Sequence, residues 1–344
     1  MLLPADLRVF ALEDELRSIF ASVDQGRALM RPTGFDGQMR IAVGIPTGGR
    51  PHILSCAIEC VARQTRAPDR IAVCAFDPLE LAGPALSSID AISSTSSRGL
   101  TPQRNAILDH CGDCDIVVFF DDDFFPHARY LEEIERAFVA NPDVVMITGR
   151  VVADGIIGPG LSLGAARSIL DRPDLARAGV GAEAASAPLA DVYNGYGCNM
   201  AVRMRTLEAH GLRFDESLPL YGWLEDVDFS RRLAQHGRIA KCPHALGVHL
   251  GVKSARLSGV RLGYSQVANP LYLARKGTMA TQRALRQILR NVAMNAARSL
   301  RPEPYIDRRG RLWGNLLGAA DLLMNRLAPA RVLHLPGGAS SNGN

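Results

Sequence analysis

The sequence predicts an α/β protein. It reads as one large domain or two modest ones with parallel strands at the start, followed by C-terminal amphipathic helices. Three observations carry this. Apolar runs of strand length alternate with segments of helical period in the first 250 residues. One of those runs, Val117-Val118-Phe119-Phe120, leads straight into Asp121-Asp122-Asp123. Beyond residue 250 the period becomes helical and the charge turns basic: residues 251–344 carry 15 Lys and Arg against 3 Asp and Glu, which leaves 24 basic and 32 acidic groups before them.

Residues 1–38 read as a preamble, an N-terminal helical extension in which Leu7 to Ile19 has helical period and Arg31-Pro32-Thr33-Gly34 ends it. Met1 to Asp6 lacks the basic and continuous apolar stretches of a signal peptide. Ile41 to Ile45 is a buried strand, Pro46 to Pro51 a turn, and Ile53, Leu54, Ala57, Ile58, Val61 and Ala62 one helical stripe. Arg70 to Phe76 is a second strand ending at Asp77-Pro78, so the unit is βαβ and its strands run parallel. The glycines after the first strand do not form G-x-G-x-x-G, which excludes the dinucleotide fingerprint. Residues 79–98 read as loop, Ala106 to His110 as a short helix, Ala128 to Phe138 as a longer one, and Val144 to Gly149 as a strand. Residues 152–190 are rich in Gly, Ala and Pro and read as an irregular insertion, a candidate lid. Asn194 to Val202 is a strand, Leu207 to His210 is helical, and Glu225-Asp226 opens a helix whose dipole favours negative charge. Asp228 is placed to pair with Arg231 or Arg232. Arg238 to Ala240 is a strand, and Val248-His249-Leu250 closes the domain.

The acid triplet points to chemistry. Three neighbouring carboxylates repel one another unless a cation is shared among them, and a strand that ends in them aims them at the edge where open α/β sheets bind ligands. Alternation along an extended chain turns Asp122 away from Asp121 and Asp123, so it is not counted as a ligand. Cys111-Gly112-Asp113-Cys114 has no second pair at zinc-ribbon spacing, and seven scattered cysteines read as reduced cytosolic thiols.

The order of these pieces resembles glycosyltransferases of family 2. The motifs are a strand ending Pro46-Thr47-x-x-Arg50, a strand ending at Asp77, Arg104-Asn105 ahead of Asp121-x-Asp123, then Glu225-Asp226-x-Asp228 and a terminal His249. The resemblance covers residues 40 to about 250. It implies the GT-A fold, a single Rossmann-like domain with a mixed, mostly parallel central sheet over 39–252. The residues after it read on their own as a basic helical region over 253–335 and a disordered tail over 336–344. The resemblance also implies an enzyme of the hexosyltransferase kind that takes a UDP-, GDP- or dTDP-sugar and uses Mn²⁺ or Mg²⁺, with inversion. Asp121, Asp123 and His249 are then the metal ligands. Pro46, Thr47, Arg50, Asp77, Arg104 and Asp121 face the nucleotide, with an ion pair to the nearby acids the other reading open for Arg104. Asp226 is the base, Glu225 contacts the acceptor, and Trp223 stacks on an acceptor sugar. Lys253, Arg256 and Arg261 are expected in a loop that closes over the diphosphate. Competing readings are a sugar-phosphate nucleotidyltransferase, whose Gly-rich basic loop is here only Gly48-Gly49-Arg50, and an inactive binding module, which the intact acids disfavour.

The basic end carries two helical stripes, Leu285, Ile288, Leu289 and Val292, then Trp313, Leu316, Leu317, Ala320, Met324 and Leu327. They suit either packing on the catalytic domain or peripheral contact with anionic lipid at the inner face of the plasma membrane, with a glycan or lipid-linked acceptor; nucleic acid is not the expected partner.

Overall fold

The computed structural model describes residues 39–76, 89–93, 99–177, 188–253 and 258–336. The N-terminal preamble, Asp77, Arg256 and the tail from residue 337 lie outside them. The first strand, β1 (Ile41–Thr47), is buried along its whole length, as its unbroken apolar run requires of a strand covered on both faces. Helix α1 (Pro51–Ala62) starts at a proline and buries Leu54, Ala57, Ile58 and Val61, and β2 (Arg70–Ala75) returns parallel to β1. β3 (Asp90–Ser93) extends the sheet beside β2, where the sequence read only loop. Helix α2 (Leu100–His110) leads to β4 (Ile116–Phe120), which lies parallel to β1 on its other side.

After the acids come β5 (Phe124–Pro126), α3 (Tyr130–Ala140) and β6 (Val144–Asp154). β6 runs five residues past the Gly149 at which the sequence reading stopped it. The expected irregular insertion holds helices α4 (Leu163–Leu170) and α5 (Pro173–Arg177) and the short β7 (Ala190–Asp191). Ser162 caps α4 by accepting from the Ala165 N–H at 3.2 Å, so part of the stretch read as an irregular insertion is helical. β8 (Asn199–Arg203), α6 (Met204–His210), α7 (Glu225–Leu233) and β9 (Arg238–His249) complete the sheet domain. The strand order is β3-β2-β1-β4-β8-β6-β9-β5, with β7 on β9. The pairings make six of these strands co-directional, with β8, β5 and β7 opposed. The sheet is therefore mixed and mostly parallel, and apolar clusters fill both of its faces.

Three long helices follow: α8 (Gly259–Lys276), α9 (Thr281–Ser299) and α10 (Arg308–Leu323), with a 3-10 turn over Pro329–His334. None of the described helices is long and apolar enough to cross a membrane. α8 was absent from the sequence reading. It buries the polar Tyr264, Ser265, Gln266 and Asn269 together with Val267, Ala268 and Leu273. It packs on the sheet domain through side chains at its far end. Tyr272 donates to Asp215 at 2.7 Å, Lys276 pairs with Asp215 and, at 2.8 Å, with Asp228, and Asn269 donates to the Trp223 carbonyl at 2.7 Å. Asp228 also pairs with Arg232 at 2.9 Å. Asn295 of α9 and Asn315 of α10 meet Gln266 in a buried amide network that ties the three helices together.

Helices α8 and α10 cross closely enough that a Cβ on Gly314 would lie 2.1 Å from the Val260 carbonyl oxygen, a backbone atom that cannot yield. Gly314→Ala is therefore expected to destabilise the chain by about 1–3 kcal/mol. Gly164→Ala in α4, where nothing lies within 4 Å, should instead stabilise it by roughly 0.5–1 kcal/mol. Denaturant midpoints of the two variants check both signs; an unchanged midpoint for Gly314→Ala would refute the close crossing.

Candidate active site

Backbone register assembles the first half of the site. β1 and β4 pair with Gly44 opposite Phe119, so three residues on, at their carboxyl ends, Thr47 comes beside Asp122. The Thr47 hydroxyl donates to Asp122 at 2.7 Å, and Arg50 pairs with Asp122 at 2.5 Å and with Asp123 at 3.1 Å. The triplet then turns into β5, whose Phe124 stands opposite His249 of β9, and His249 stands opposite Asp154 of β6. One row across three strands thus fixes the neighbourhood of Asp123, His249 and Asp154.

Asp121, Asp123 and His249 each present one ligand atom, and these atoms all lie within 4.8 Å of one another. His249 Nε2 sits 3.4 Å from Asp123 Oδ1, and Nδ1 sits 2.9 Å from Asp154 Oδ1. Asp154 is itself held, accepting from the Tyr196 hydroxyl at 2.8 Å and the Ile156 N–H at 2.9 Å. This is the carboxylate–imidazole pairing that fixes a ligating ring, leaving Nε2 to a cation. Two carboxylates and one imidazole suit Mn²⁺, with Mg²⁺ the harder alternative, and the set leaves coordination positions for ligand oxygens. The residues present therefore fit a divalent ion. Burial pulls the His249 pKa down, but the hydrogen bonds to Asp123 and Asp154 outweigh it and raise it to about 10. Against its own burial, the His249 hydrogen bond and the Arg50 charge hold Asp123 down at about 2.

Arg104 joins this half to the second. Its side chain is fully buried between the rings of Phe119 and Phe214, with the guanidinium carbon 5.7 and 5.3 Å from their centroids. Nη2 donates to Asp121 at 3.2 Å and to the Gly197 carbonyl at 2.7 Å, while Nη1 pairs with Glu225. Of the two readings open for Arg104, a nucleotide contact or an ion pair with the nearby acids, the geometry has the second: it braces Asp121 and Glu225. The Glu225 carboxylate is buried, with Oε1 paired to Arg104 and Oε2 without a hydrogen-bond partner among the described residues. Burial pushes the Glu225 carboxyl up to about 8; Arg104 pulls the other way, and Asp226 and Asp121 add to the rise.

Asp226 lies in the first turn of α7, half-buried. It accepts from its neighbour Val227 N–H at 2.8 Å and from the Gly197 N–H at 3.3 Å. Burial raises its pKa above the ordinary Asp value, and these N–H donors offset part of the rise. A Cβ on Gly197 would lie 3.1 Å from Glu225 Oε1 and 3.6 Å from both Arg104 Nη2 and the Asp226 Cβ. A side chain there would need the Glu225 carboxylate to give by a few tenths of an ångström. The segment that presents α7 is conformationally costly: Leu220, Gly222 and Leu224 all have positive φ, at 60°, 60° and 74°. Each non-glycine residue there costs about 1–3 kcal/mol, a strain that recurs at functional sites. The segment is pinned by Leu100 N–H donating to the Leu220 carbonyl at 2.7 Å. Trp223 is half-buried on this segment.

The remaining expected contacts divide. Pro46 and Thr47 are buried, and the Thr47 hydroxyl is committed to Asp122, so of the three β1-end residues only Arg50 keeps an exposed edge. Lys253 donates to the carbonyls of Gly155 and Ile156 at 3.0 and 2.9 Å, and Arg261, within α8 and not a loop, donates twice to the Leu335 carbonyl. Asp154, Tyr196 and Gln103 were not singled out from the sequence. Gln103 donates to the carbonyls of Thr47 at 2.6 Å and Cys74 at 2.9 Å, tying the ends of β1 and β2. All seven cysteines are free thiols, and burial raises Cys111 to about 12 and Cys114 to about 11.

No protein-family model matches this chain, and no curated protein matches it. Several solved structures resemble it in outline. A mannosyltransferase from Pyrobaculum calidifontis, in complex with GDP-Man and Mn²⁺, is 16% identical, with 92% of each chain covered and a TM-score of 0.46. TarS 1–349 from S. aureus is 13% identical, covering 86% of this chain and 82% of that one, at 0.49. Glucosyl-3-phosphoglycerate synthase from Mycobacterium tuberculosis, in complex with phosphoglyceric acid, is 16% identical over 70% of this chain and 81% of that one, at 0.45. Likeness at this level assigns no role to any residue, and the roles here rest on the geometry above.

Because His249 carries a proton until its Nε2 is claimed by a cation, metal and proton compete for it. Mn²⁺ affinity should rise roughly tenfold per pH unit below about 10 and level off above it. Asp154→Asn should weaken Mn²⁺ binding by about 10–100-fold. Calorimetric titration in buffers of different ionisation enthalpy counts the released proton; a pH-independent affinity would remove His249 from the ligand set.

Proposed function

We propose that this chain is a hexosyltransferase that moves a sugar, with inversion, from a nucleotide-diphosphate donor to a glycan or lipid-linked acceptor. The single observation that carries the reading is the pairing of two acidic centres around Arg104: a cation-ready cluster on one side and a carboxylate of raised pKa on the other. The donor is a UDP-, GDP- or dTDP-sugar whose nucleotide lies against the ends of β1 and β2, and Asp77 is its proposed contact to base or ribose. The setting is surface polysaccharide or glycolipid assembly in the cytoplasm, at the inner face of the plasma membrane.

Asp121, Asp123 and His249 would hold the divalent ion, which when bound supplies Lewis-acid stabilisation of the departing diphosphate. Asp154, holding Nδ1, keeps His249 Nε2 toward the cluster. Arg50 offsets the charge of Asp122 and Asp123, although burial still pushes the Asp122 carboxyl up to about 7. On the other side Asp226 takes the proton from the acceptor hydroxyl as that oxygen attacks the anomeric carbon from the face opposite the diphosphate. Attack from that face gives inversion. A carboxylate whose pKa lies above the ordinary Asp value takes a hydroxyl proton with a smaller penalty. The N–H groups of Val227 and Gly197 hold its two oxygens in place while it does so. Trp223, next to the pair, offers an aromatic surface for an acceptor sugar.

Asp226→Asn keeps the shape of the site and removes the base. Transfer should fall by about 10²–10⁴-fold, while nucleotide diphosphate and Mn²⁺ bind as before. Isothermal titration with nucleotide diphosphates, run beside product assays on a sugar-nucleotide panel, separates the two. Full transfer by Asp226→Asn would sink the base assignment, and loss of binding as well would make its role structural.

A further inference from the structure

Two exposed apolar stripes meet on the outer surface of the C-terminal helices. On α9 the exposed positions Leu285, Leu289, Ala293, Ala296 and Leu300 recur at spacings of three and four, one line along the helix and its end. On α10 Trp313, Leu316 and Leu323 do the same. Their exposure is large: 68% for Leu289, 82% for Leu300, 57% for Trp313 and 88% for Leu323. The stripes join at a groove of about 310 Å³ lined by Ser299, Leu300, Arg309, Leu312, Trp313 and Leu316. The opposite side of α10 is committed to α8 through Gly314 and Asn315, so these apolar residues do not serve the core.

The charge around this face is one-sided. The described residues after 258 contain three acids, and each is used within the helices. Glu303 pairs with Arg298 and Arg308, Asp307 caps the Gly310 N–H at 2.7 Å, and Asp321 pairs with Arg326 and Arg331. Arg286 and Arg290 each follow a stripe leucine by one residue, and Arg301 follows Leu300. All three are exposed and make no ion pair among the described residues.

We propose that this face docks on a bilayer surface that contains anionic lipid. Leucines and a tryptophan enter the boundary between headgroups and acyl chains, and the free arginines meet the lipid phosphates. A second copy of the chain fits the face less well, because a two-fold contact would set the same arginines against one another with no acid between them. The inference rests on the α9–α10 surface and stands apart from the transfer reading.

Co-sedimentation of the full chain with vesicles tests it. The chain should pellet with vesicles of phosphatidylcholine mixed with phosphatidylglycerol, stay in solution with phosphatidylcholine alone, and be released by high salt. Arg286→Ala with Arg290→Ala should weaken binding about thirtyfold, and Leu289→Glu with Leu316→Glu should abolish it. Both double variants should keep the wild-type unfolding midpoint and Mn²⁺-dependent nucleotide diphosphate binding, so the outcome is independent of the transfer reading. In the unmodified chain, tryptophan emission should shift to the blue on anionic vesicles and be quenched by brominated lipid, which needs no variant to fold. Absence of binding to anionic vesicles overturns the proposal. So does equal binding to neutral ones, or a self-associated chain that Leu289→Glu makes monomeric while vesicles leave it in solution.

Discussion

The buried guanidinium of Arg104 is the constraint around which this molecule is arranged. Asp121, Glu225 and Asp226 converge from two chain segments a hundred residues apart, and without a cation among them they would repel. Arg104 presents a rigid fork to Asp121 and the Gly197 carbonyl on one side and to Glu225 on the other. A lysine has no such fork, and an apolar residue would leave buried acids unpaired, a loss of about 3–5 kcal/mol for a broken buried pair. The Phe119 and Phe214 rings that flank it keep water out and strengthen every charge contact within. Because Asp121 and Glu225 share one guanidinium, the two acidic centres cannot drift apart without breaking it.

Backbone pairing does the rest of the positioning. The metal-ready row depends on Phe124, His249 and Asp154 standing opposite one another on β5, β9 and β6. The base centre depends on a segment whose left-handed residues are held by the Gly99–Leu220 bridge and by α8, which grips the Trp223 carbonyl through Asn269. The C-terminal helices are therefore coupled to the site through backbone as well as carrying a surface of their own.

Much of the framework was legible in the sequence, for identifiable reasons. β1 and β4 are uninterrupted apolar runs, and a strand that ends in three acids is hard to read any other way. What stayed hidden depends on pairings that sequence does not encode locally. Asp154 reaches His249 only because β6 shifts register against β9 at three places, so counting alternation from Val144 misplaces it. For Arg104 the sequence left a nucleotide contact and an ion pair with the nearby acids both open, and only the fold shows it fully buried between Asp121 and Glu225. α8 was missed because polar residues interrupt its buried face: Tyr264, Gln266 and Asn269 sit among Val267, Ala268 and Leu273 and bond to groups outside the helix. The short β3 has no signal of its own and exists as a strand through β2.

The central claim is that the centres on either side of Arg104 act on the leaving group and the nucleophile of one displacement. Proton NMR of the chain with UDP-, GDP- and dTDP-sugars and Mn²⁺, with water as the acceptor, tests it most directly. The account predicts slow, metal-dependent release of a free sugar whose first-formed anomer is opposite in configuration to the donor. Release of the retained anomer, or release that does not need the metal, would contradict it.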